Sequence, residues 1–253
     1  MCLVAFAYQV DPQFPLIVAG NRDEFHARPT KASHWWSDHP GILGGRDLQA
    51  GGTWLAMHRN GRFATVTNFR DAQEESGMLR SRGHLIVEFL ESDLAPLAYL
   101  GSIDGGAYAG FNLLVADTTV LAYLSNRGGG LRELSPGIYG LGNAALDASC
   151  HKVRQSKAAL GDLIDGDAVN MTNLMRLLNE RDKAPPAEVK SGRLTFAKAH
   201  ALTATFIVQP DYGTRCSTAL TVSMSGDVRF LERRFDAGGE ATGESRFAFS
   251  IDN

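Results

Sequence analysis

The sequence predicts an α+β domain in which two mainly antiparallel sheets stack on each other and helices cover them. Three observations predict it. Apolar runs of strand length lie at both ends of the chain, with helical spacings between them. Several of those runs are apolar on both faces, as strands enclosed between layers are. The helical segments come in pairs, which is what a covering layer requires. With 253 residues, 44% hydrophobic and 21% charged, the chain is large enough for one sizeable core, and a single domain over 1–253 is expected.

Each element follows in order. Cys2 to Tyr8 reads as a buried strand, and "DPQFP" turns it into a second apolar run, Leu16 to Ala19, making a hairpin. "GGTWLAMHRNGRFATVTNF" is a second hairpin, with Asn60-Gly61 as a two-residue turn. In "RGHLIVEFLES", Leu85, Ile86, Phe89 and Leu90 fall at helical spacing, and Ser92 or Asp93 can cap a short helix running through Tyr99. Phe111 to Ala116 and Val120 to Leu124 form another strand pair. "NRGGGLRELSPG" reads as a turn; Val153, Leu160 and Ile164 mark a helix; and Asp167 caps a second one carrying Met171, Leu174, Met175 and Leu178. "RDKAPPAEVKSGR" is the linker-like stretch, and strands are expected around Thr205 to Gln209, Thr218 to Met224, Val228 to Phe235 and Phe247 to Ile251.

Composition narrows the function classes. A net charge of −3 leaves no electrostatic footprint for nucleic acid. No apolar run approaches the ~20 residues of a membrane span, and the first residues lack the pattern of a signal peptide, so a cytoplasmic protein without an integral membrane segment is expected. The three cysteines, Cys2, Cys150 and Cys216, have no paired spacing and argue against both a disulfide framework and a zinc site. Cys150 and Cys216 read as inert, partly buried thiols. "GGRDLQAGGTW" lacks the strand-to-helix pattern of a phosphate loop and reads as tight turns. Nothing in the sequence sets the oligomeric state.

Cys2 stands apart because it directly follows the initiator methionine at the head of a buried strand. A small residue at this position lets methionine aminopeptidase remove Met1, leaving a thiol and a free α-amine on one residue. The second strand runs into "AGNRDEFHARP", and if the first two strands pair as a hairpin, the polar cluster Asn21, Arg22, Asp23 and Glu24 meets Cys2.

"NRDEFHARP", "GGRDLQAGGTWLAM", "GRFATVTNFR", "YGLGNAALD" and "DYGTRCSTAL", together with the initial "MC", are similar in content and order to the NRDE family, the transport and Golgi organisation protein two-like proteins. That family in turn resembles the cysteine N-terminal nucleophile (Ntn) hydrolases, among them penicillin V acylase and bile salt hydrolase. The resemblance implies a four-layer αββα sandwich and hydrolysis of a non-peptide C–N bond in an N-acyl substrate, with no cofactor required. It also implies the site. Cys2 would be the nucleophile, with its own amine as general base. Arg22 would favour the thiolate, Asp23 would hold the α-amine, Asn68 and Asn143 would donate to the oxyanion, and Arg215 would be the late arginine. Asn68 and Asn143 can equally satisfy backbone groups in turns. The acylases separate their arginine and aspartate, whereas here the two are contiguous; adjacent strand residues point to opposite faces, so Arg22 and Asp23 face Cys2 together only where the strand has ended.

The family is also known for secretory organisation, lipid homeostasis and haem trafficking, which supplies a second reading: a carrier that binds haem noncovalently. Haem needs an apolar slot, an axial ligand and cations for its propionates. His26, His34 and Trp35, with Arg28 and Arg46, lie close in sequence and are the candidates. Of the adjacent pair Trp35 and Trp36, one is expected to line a cleft.

Overall fold

The structure, a computed structural model, describes residues 2–70 and 79–252. Its strands are β1 (Cys2–Tyr8), β2 (Leu16–Phe25), β3 (Thr30–Trp35), β4 (Ile42–Asp47), β5 (Leu55–His58), β6 (Phe63–Asn68), β7 (Phe111–Ala116), β8 (Leu121–Ser125), β9 (Gly130–Glu133), β10 (Gly137–Leu141), β11 (Tyr212–Val222), β12 (Asp227–Phe235) and β13 (Ala241–Ser250). The helices are α1 (Arg82–Leu90), α2 (Pro96–Gly101), α3 (His151–Asp165), α4 (Met171–Leu178) and α5 (Phe196–Ala201). Every strand pairing is antiparallel, giving one sheet in the order β10-β1-β2-β11-β12-β13 and another in the order β3-β4-β5-β6-β7-β8-β9.

Strand alternation builds the layers. Val4, Phe6 and Val18 of the first sheet meet Leu43, Met57, Phe63 and Leu114 of the second in a central core. The intervening residues Ala5, Ala7, Ile17 and Ala19 pack against Leu160 of α3 and Leu174 and Leu178 of α4. On the far side, Ile42, Ala64 and Val115 pack against α1 and α2 through Leu85, Phe89, Tyr99 and Leu100. The order of layers is therefore helix, sheet, sheet, helix: the expected αββα sandwich. Among the described residues no helix is long and apolar enough to cross a membrane.

Several expected elements shift, each for a local reason. The second strand does not stop at Ala19 but runs to Phe25, because β11 pairs with it along its whole length and supplies hydrogen-bond partners for Asn21 to Phe25. The turn at Asn60-Gly61 is longer than two residues: the Arg62 carbonyl accepts from the His58 amide, and Gly61 alone takes a left-handed φ of 88°, which its missing Cβ permits. The second short helix starts at Pro96, whose ring presets φ at a first helical position, instead of being capped by Ser92 or Asp93. Asn170, not Asp167, caps α4 by accepting from the Asn173 amide. The run from Thr205 to Gln209 is not a strand; it folds back before β11 with a single bridge from Val208 to Gly213. The glycine-rich turn at 126–137 contains β9, an exposed edge strand whose residues carry no buried alternation.

Candidate active site

Cys2, the first residue of β1, pairs directly with Arg22 of β2, which on its other side pairs with Cys216 of β11. Directly paired residues share a face of the sheet, so all three side chains point between the two sheets, in line with Val4 and Val18. The Arg22 side chain is 5% exposed. Its guanidinium lies over the Trp54 ring at 4.3 Å, donates to Thr30 Oγ1 at 2.9 Å and sits 3.8 Å from Asp47 Oδ2. Asp47 is held in turn by Arg28, whose Nε and Nη2 both approach at 2.7 Å. Arg22 thus lies on the same face of the sheet as Cys2, with the Asp47 carboxylate behind it.

Because β2 has not ended at Arg22, Asp23 faces the helical layer. Its Oδ1 accepts from Thr214 Oγ1 at 2.7 Å, and its Oδ2 lies 3.8 Å from Lys152 Nζ at the start of α3. Burial pushes the Asp23 carboxyl up, with the Lys152 ammonium opposing. Asp23 is nonetheless well placed for the end of β1: in the antiparallel ladder the backbone nitrogen of Cys2 lies on the Asp23 side of its pair with Arg22. Met1, whose removal the sequence suggested, lies outside the described residues.

Asn143 follows β10, the other neighbour of β1. Leu141 pairs with Val4, where the ladder between the two strands ends, and Asn143 lies two residues beyond it. Its Nδ2 donates to Asn68 O at 2.9 Å, tying it to the end of β6, while its buried Oδ1 has no hydrogen-bond partner. Both expected asparagines are therefore brought together, and one N–H of Asn143 satisfies a backbone group. Arg215 sits at a bulge in β11. Its Nη1 donates to Phe25, His26 and Arg28 carbonyls at 2.9 to 3.1 Å, so it clamps the turn after β2. Burial lowers the Arg215 pKa, and the Arg22 charge adds to the effect.

A cleft of two lobes passes Asn143. The larger, 980 Å³, lies over the start of α3, and the smaller, 620 Å³, is lined by Asn68, Phe69, Leu194, Pro210 and Tyr212 among others; Arg70, Asn143 and Leu202 belong to both. The stretch read as a linker, 181–193, supplies a wall of the larger lobe through Glu188, Lys190 and Arg193. Cys2 is half-buried and does not line either lobe.

The residues read as a haem slot are each engaged by other groups. His26 Nε2 faces Gln209 O at 3.1 Å and His34 Nδ1 faces Ala32 O at 2.8 Å. Arg28 is held by Asp47, and Arg46 by Asp38 at 2.7 Å. Trp35 packs on Phe247 and Phe249, and Trp36 is buried with its Nε1 donating to Gly44 O. Adjacent tryptophans are both accommodated because β3 is covered on its two faces, and neither lines a lobe of the cleft. This set does not fit haem, and among the described residues no cluster of three or more His, Cys, Asp or Glu could hold a metal ion. The remaining cysteines also differ from expectation: Cys150 is exposed at the cap of α3, whereas Cys216 is fully buried and its thiol is pushed well up by burial and by Glu232.

Lys152 escaped the sequence reading, and Asn21, read there as part of the polar cluster meeting Cys2, turns instead to the helical layer. Lys152 shares the buried face of α3 with Val153, Ser156 and Leu160, so a lysine inside an apolar helical stripe was the available signal. Asn21 is 2% exposed; it donates to Leu178 O and Thr205 O, both at 2.8 Å, and accepts from Ser217 Oγ. It locks β2 to α4 and to the approach to β11.

An αββα sandwich with a cysteine at the head of a central strand defines a domain of the Ntn-hydrolase fold. The solved structure of the C2A mutant of conjugated bile acid hydrolase from Clostridium perfringens is similar in fold, with a TM-score of 0.52 over 100% of this chain and 97% of that one at 9% identity. Residues 1–237 match the Transport and Golgi organisation 2 family, and the chain belongs to it. Its relatives include the Transport and Golgi organization protein 2 homologs of Bos taurus, 35% identical, and Homo sapiens, 33% identical, with 92% of both chains covered in each case.

Proposed function

We propose that this protein is an N-terminal-cysteine amidohydrolase that cleaves a non-peptide C–N bond in an N-acyl substrate. The observation that carries the reading is the ladder position of Cys2 at the head of β1, paired with Arg22, while the strand on its other side leads into Asn143 at the junction of the two lobes. Loss of Met1 would give Cys2 its own amine, held from the Asp23 side. In the acylation step the Cys2 sulfur attacks the amide carbonyl carbon while the thiol proton passes to the α-amine. Arg22 supplies positive charge on the face of the sheet that carries the sulfur, and Asn143 Nδ2, with its second N–H, and Asn68 donate to the developing oxyanion. The C–N bond then breaks, and the leaving amine takes the proton from the α-ammonium. Water attacks the resulting thioester and gives its proton to the same amine; the C–S bond breaks, and the thiol recovers that proton as the acid leaves.

The test combines intact mass with turnover. Most molecules should begin at Cys2, N-acyl amines should be hydrolysed, and Cys2→Ala should abolish hydrolysis with the circular dichroism spectrum unchanged. Retention of Met1, or equal turnover by Cys2→Ala, would sink the reading. So would the absence of hydrolysis across a panel of short- to long-chain N-acyl amines. A haem carrier is the weaker reading, because its two histidines and two arginines are each engaged by other groups.

A further inference from the structure

The two lobes of the cleft differ in character. Among the described residues, the larger is lined by five cationic side chains, Arg70, Lys152, Arg154, Lys190 and Arg193, against one carboxylate, Glu188. This is an inversion of the chain's own balance, a net charge of −3. Glu188 is moreover taken up by Arg154 at 2.6 Å. The smaller lobe carries fewer charges, Arg70, Arg82 and Lys198 against Asp211, beside the apolar Phe25, Phe69, Leu194, Leu202 and Pro210.

Lys152 gives the cationic lobe a built floor. Its side chain is 6% exposed and, among the described residues, its Nζ makes no hydrogen bond; the Asp23 carboxylate stands off at 3.8 Å. A buried ammonium without hydrogen bonds is costly, and a ligand oxygen entering the lobe would relieve that cost. Beside it, His151 Nε2 is also buried without a partner. Both residues belong to the first turn of the 15-residue helix α3, whose cap, Cys150, makes no side-chain hydrogen bond to it. The orphan amides of that turn add donors and a positive dipole end.

We propose that the larger lobe binds an anionic group, a carboxylate or a phosphate, on the amine side of the ligand, while the acyl chain occupies the smaller lobe and the amide lies at Asn143. The orientation rests on the hydrolase reading; the preference for an anion does not. It can be measured as binding to a protein that does not turn over.

The experiment uses full-length Cys2→Ala protein at low salt, with three probes sharing one acyl chain, each below its micellar concentration: N-dodecanoylethanolamine, N-dodecanoylglycine and N-dodecanoyl phosphoethanolamine. At least one anion should bind about tenfold more tightly than the neutral amide, as expected for a charge-assisted hydrogen bond formed in a partly desolvated site, and the order of the two anions identifies carboxylate or phosphate. Lys152→Met should bring the anion affinity down to that of the neutral probe. Since that change removes the ammonium that faces Asp23 and can unfold the protein, the double replacement Lys190→Gln with Arg193→Gln, at exposed positions that line the larger lobe and not the smaller, provides the second variant and should reduce the preference while leaving the neutral probe unaffected. Equal affinity for all three probes overturns the proposal, as does a failure to bind either anion. A preference that survives the double variant, or survives Lys152→Met in folded protein, overturns it too. Failure of hydrolysis alone leaves these binding ratios standing, so the two readings fail separately.

Discussion

Replacing Asn21 by alanine should be among the more damaging single changes outside the apolar core. The side chain spends both amide hydrogens on the carbonyls of Leu178 and Thr205, each at 2.8 Å, and its oxygen accepts the Ser217 hydroxyl at 2.6 Å. Alanine deletes three buried hydrogen bonds and leaves two carbonyls and a hydroxyl without these partners at a site 2% exposed. At about 1 kcal/mol net per bond, and more where a buried group is stranded, the loss is about 3 to 5 kcal/mol. For a domain of this size that corresponds to roughly 10 °C in Tm. Equilibrium urea unfolding of wild type and variant gives the difference directly. Asn21→Asp is the sharper control: it keeps the shape but turns a carboxylate oxygen toward two carbonyls. Its folded pKa must then lie above the unfolded value, so the deficit should grow as pH rises through the folded pKa and shrink on acidification. An alanine variant within about 1 kcal/mol of wild type would refute the latch, since a single ordinary hydrogen bond is worth that much. An aspartate variant more stable than the alanine at neutral pH would refute it as well.

Mass spectrometry of purified protein should find Cys2 as the first residue in most molecules, and a dominant species retaining Met1 would remove the free amine from the mechanism. Iodoacetamide at neutral pH should label Cys2 fastest, exposed Cys150 next and Cys216 slowest, because Cys216 is buried and its thiol is pushed up; labelling of Cys216 in folded protein at the rate of Cys150 would contradict the structure. Burial pushes the Asp117 carboxyl up, but hydrogen bonds from the Thr119 and Val120 amides and the Thr119 hydroxyl outweigh it and hold it below the usual range. A depressed folded pKa contributes stability above the unfolded value of about 3.9 and loses it as pH falls through the folded one. The stability gap between wild type and Asp117→Asn should therefore narrow from about pH 6 to about pH 2.5, and a constant gap in urea titrations at the two values would count against it.

The layered architecture was legible because strands apolar on both faces leave few alternatives, and runs such as Phe111 to Ala116 carry that signal over their full length. The two edge strands β3 and β9 were not legible. In β9 all four residues are exposed, so no alternation marks it, and β3 mixes polar residues with Trp35 because it lies at the rim of the sandwich. The register of Arg22 opposite Cys2 followed from the hairpin, whereas Asn68 and Asn143 were named only through the family resemblance. The position of Lys152 followed from neither, because its partner Asp23 lies far away in sequence and the contact depends on α3 crossing the first sheet. The stop of β2 was misplaced for a similar reason: polar residues ordinarily end a strand, but here β11, almost two hundred residues later, extends it.

That extension accounts for the contiguity of Asn21, Arg22, Asp23 and Glu24. A strand covered on both faces sends successive side chains to different layers, so a run of polar residues inside it serves two layers at once. Asn21 and Asp23 reach the helical layer, one as a latch and the other beside Lys152, while Arg22 turns between the sheets with Cys2. Glu24 ends the run near the surface, where its Oε1 accepts from the Phe25 amide and its Oε2 lies 4.0 Å from Arg28. On the proposed hydrolase reading, Arg22 would act on the sulfur of Cys2 from one face of the sheet and Asp23 on its backbone nitrogen from the other. It follows that the two roles should be separable in solution. Arg22→Gln should slow alkylation of Cys2 while leaving the titration of its amine in place, and Asp23→Asn should shift that titration with a smaller effect on the thiol. If both substitutions moved both properties equally, the division of labour along β2 would be wrong even with the fold intact.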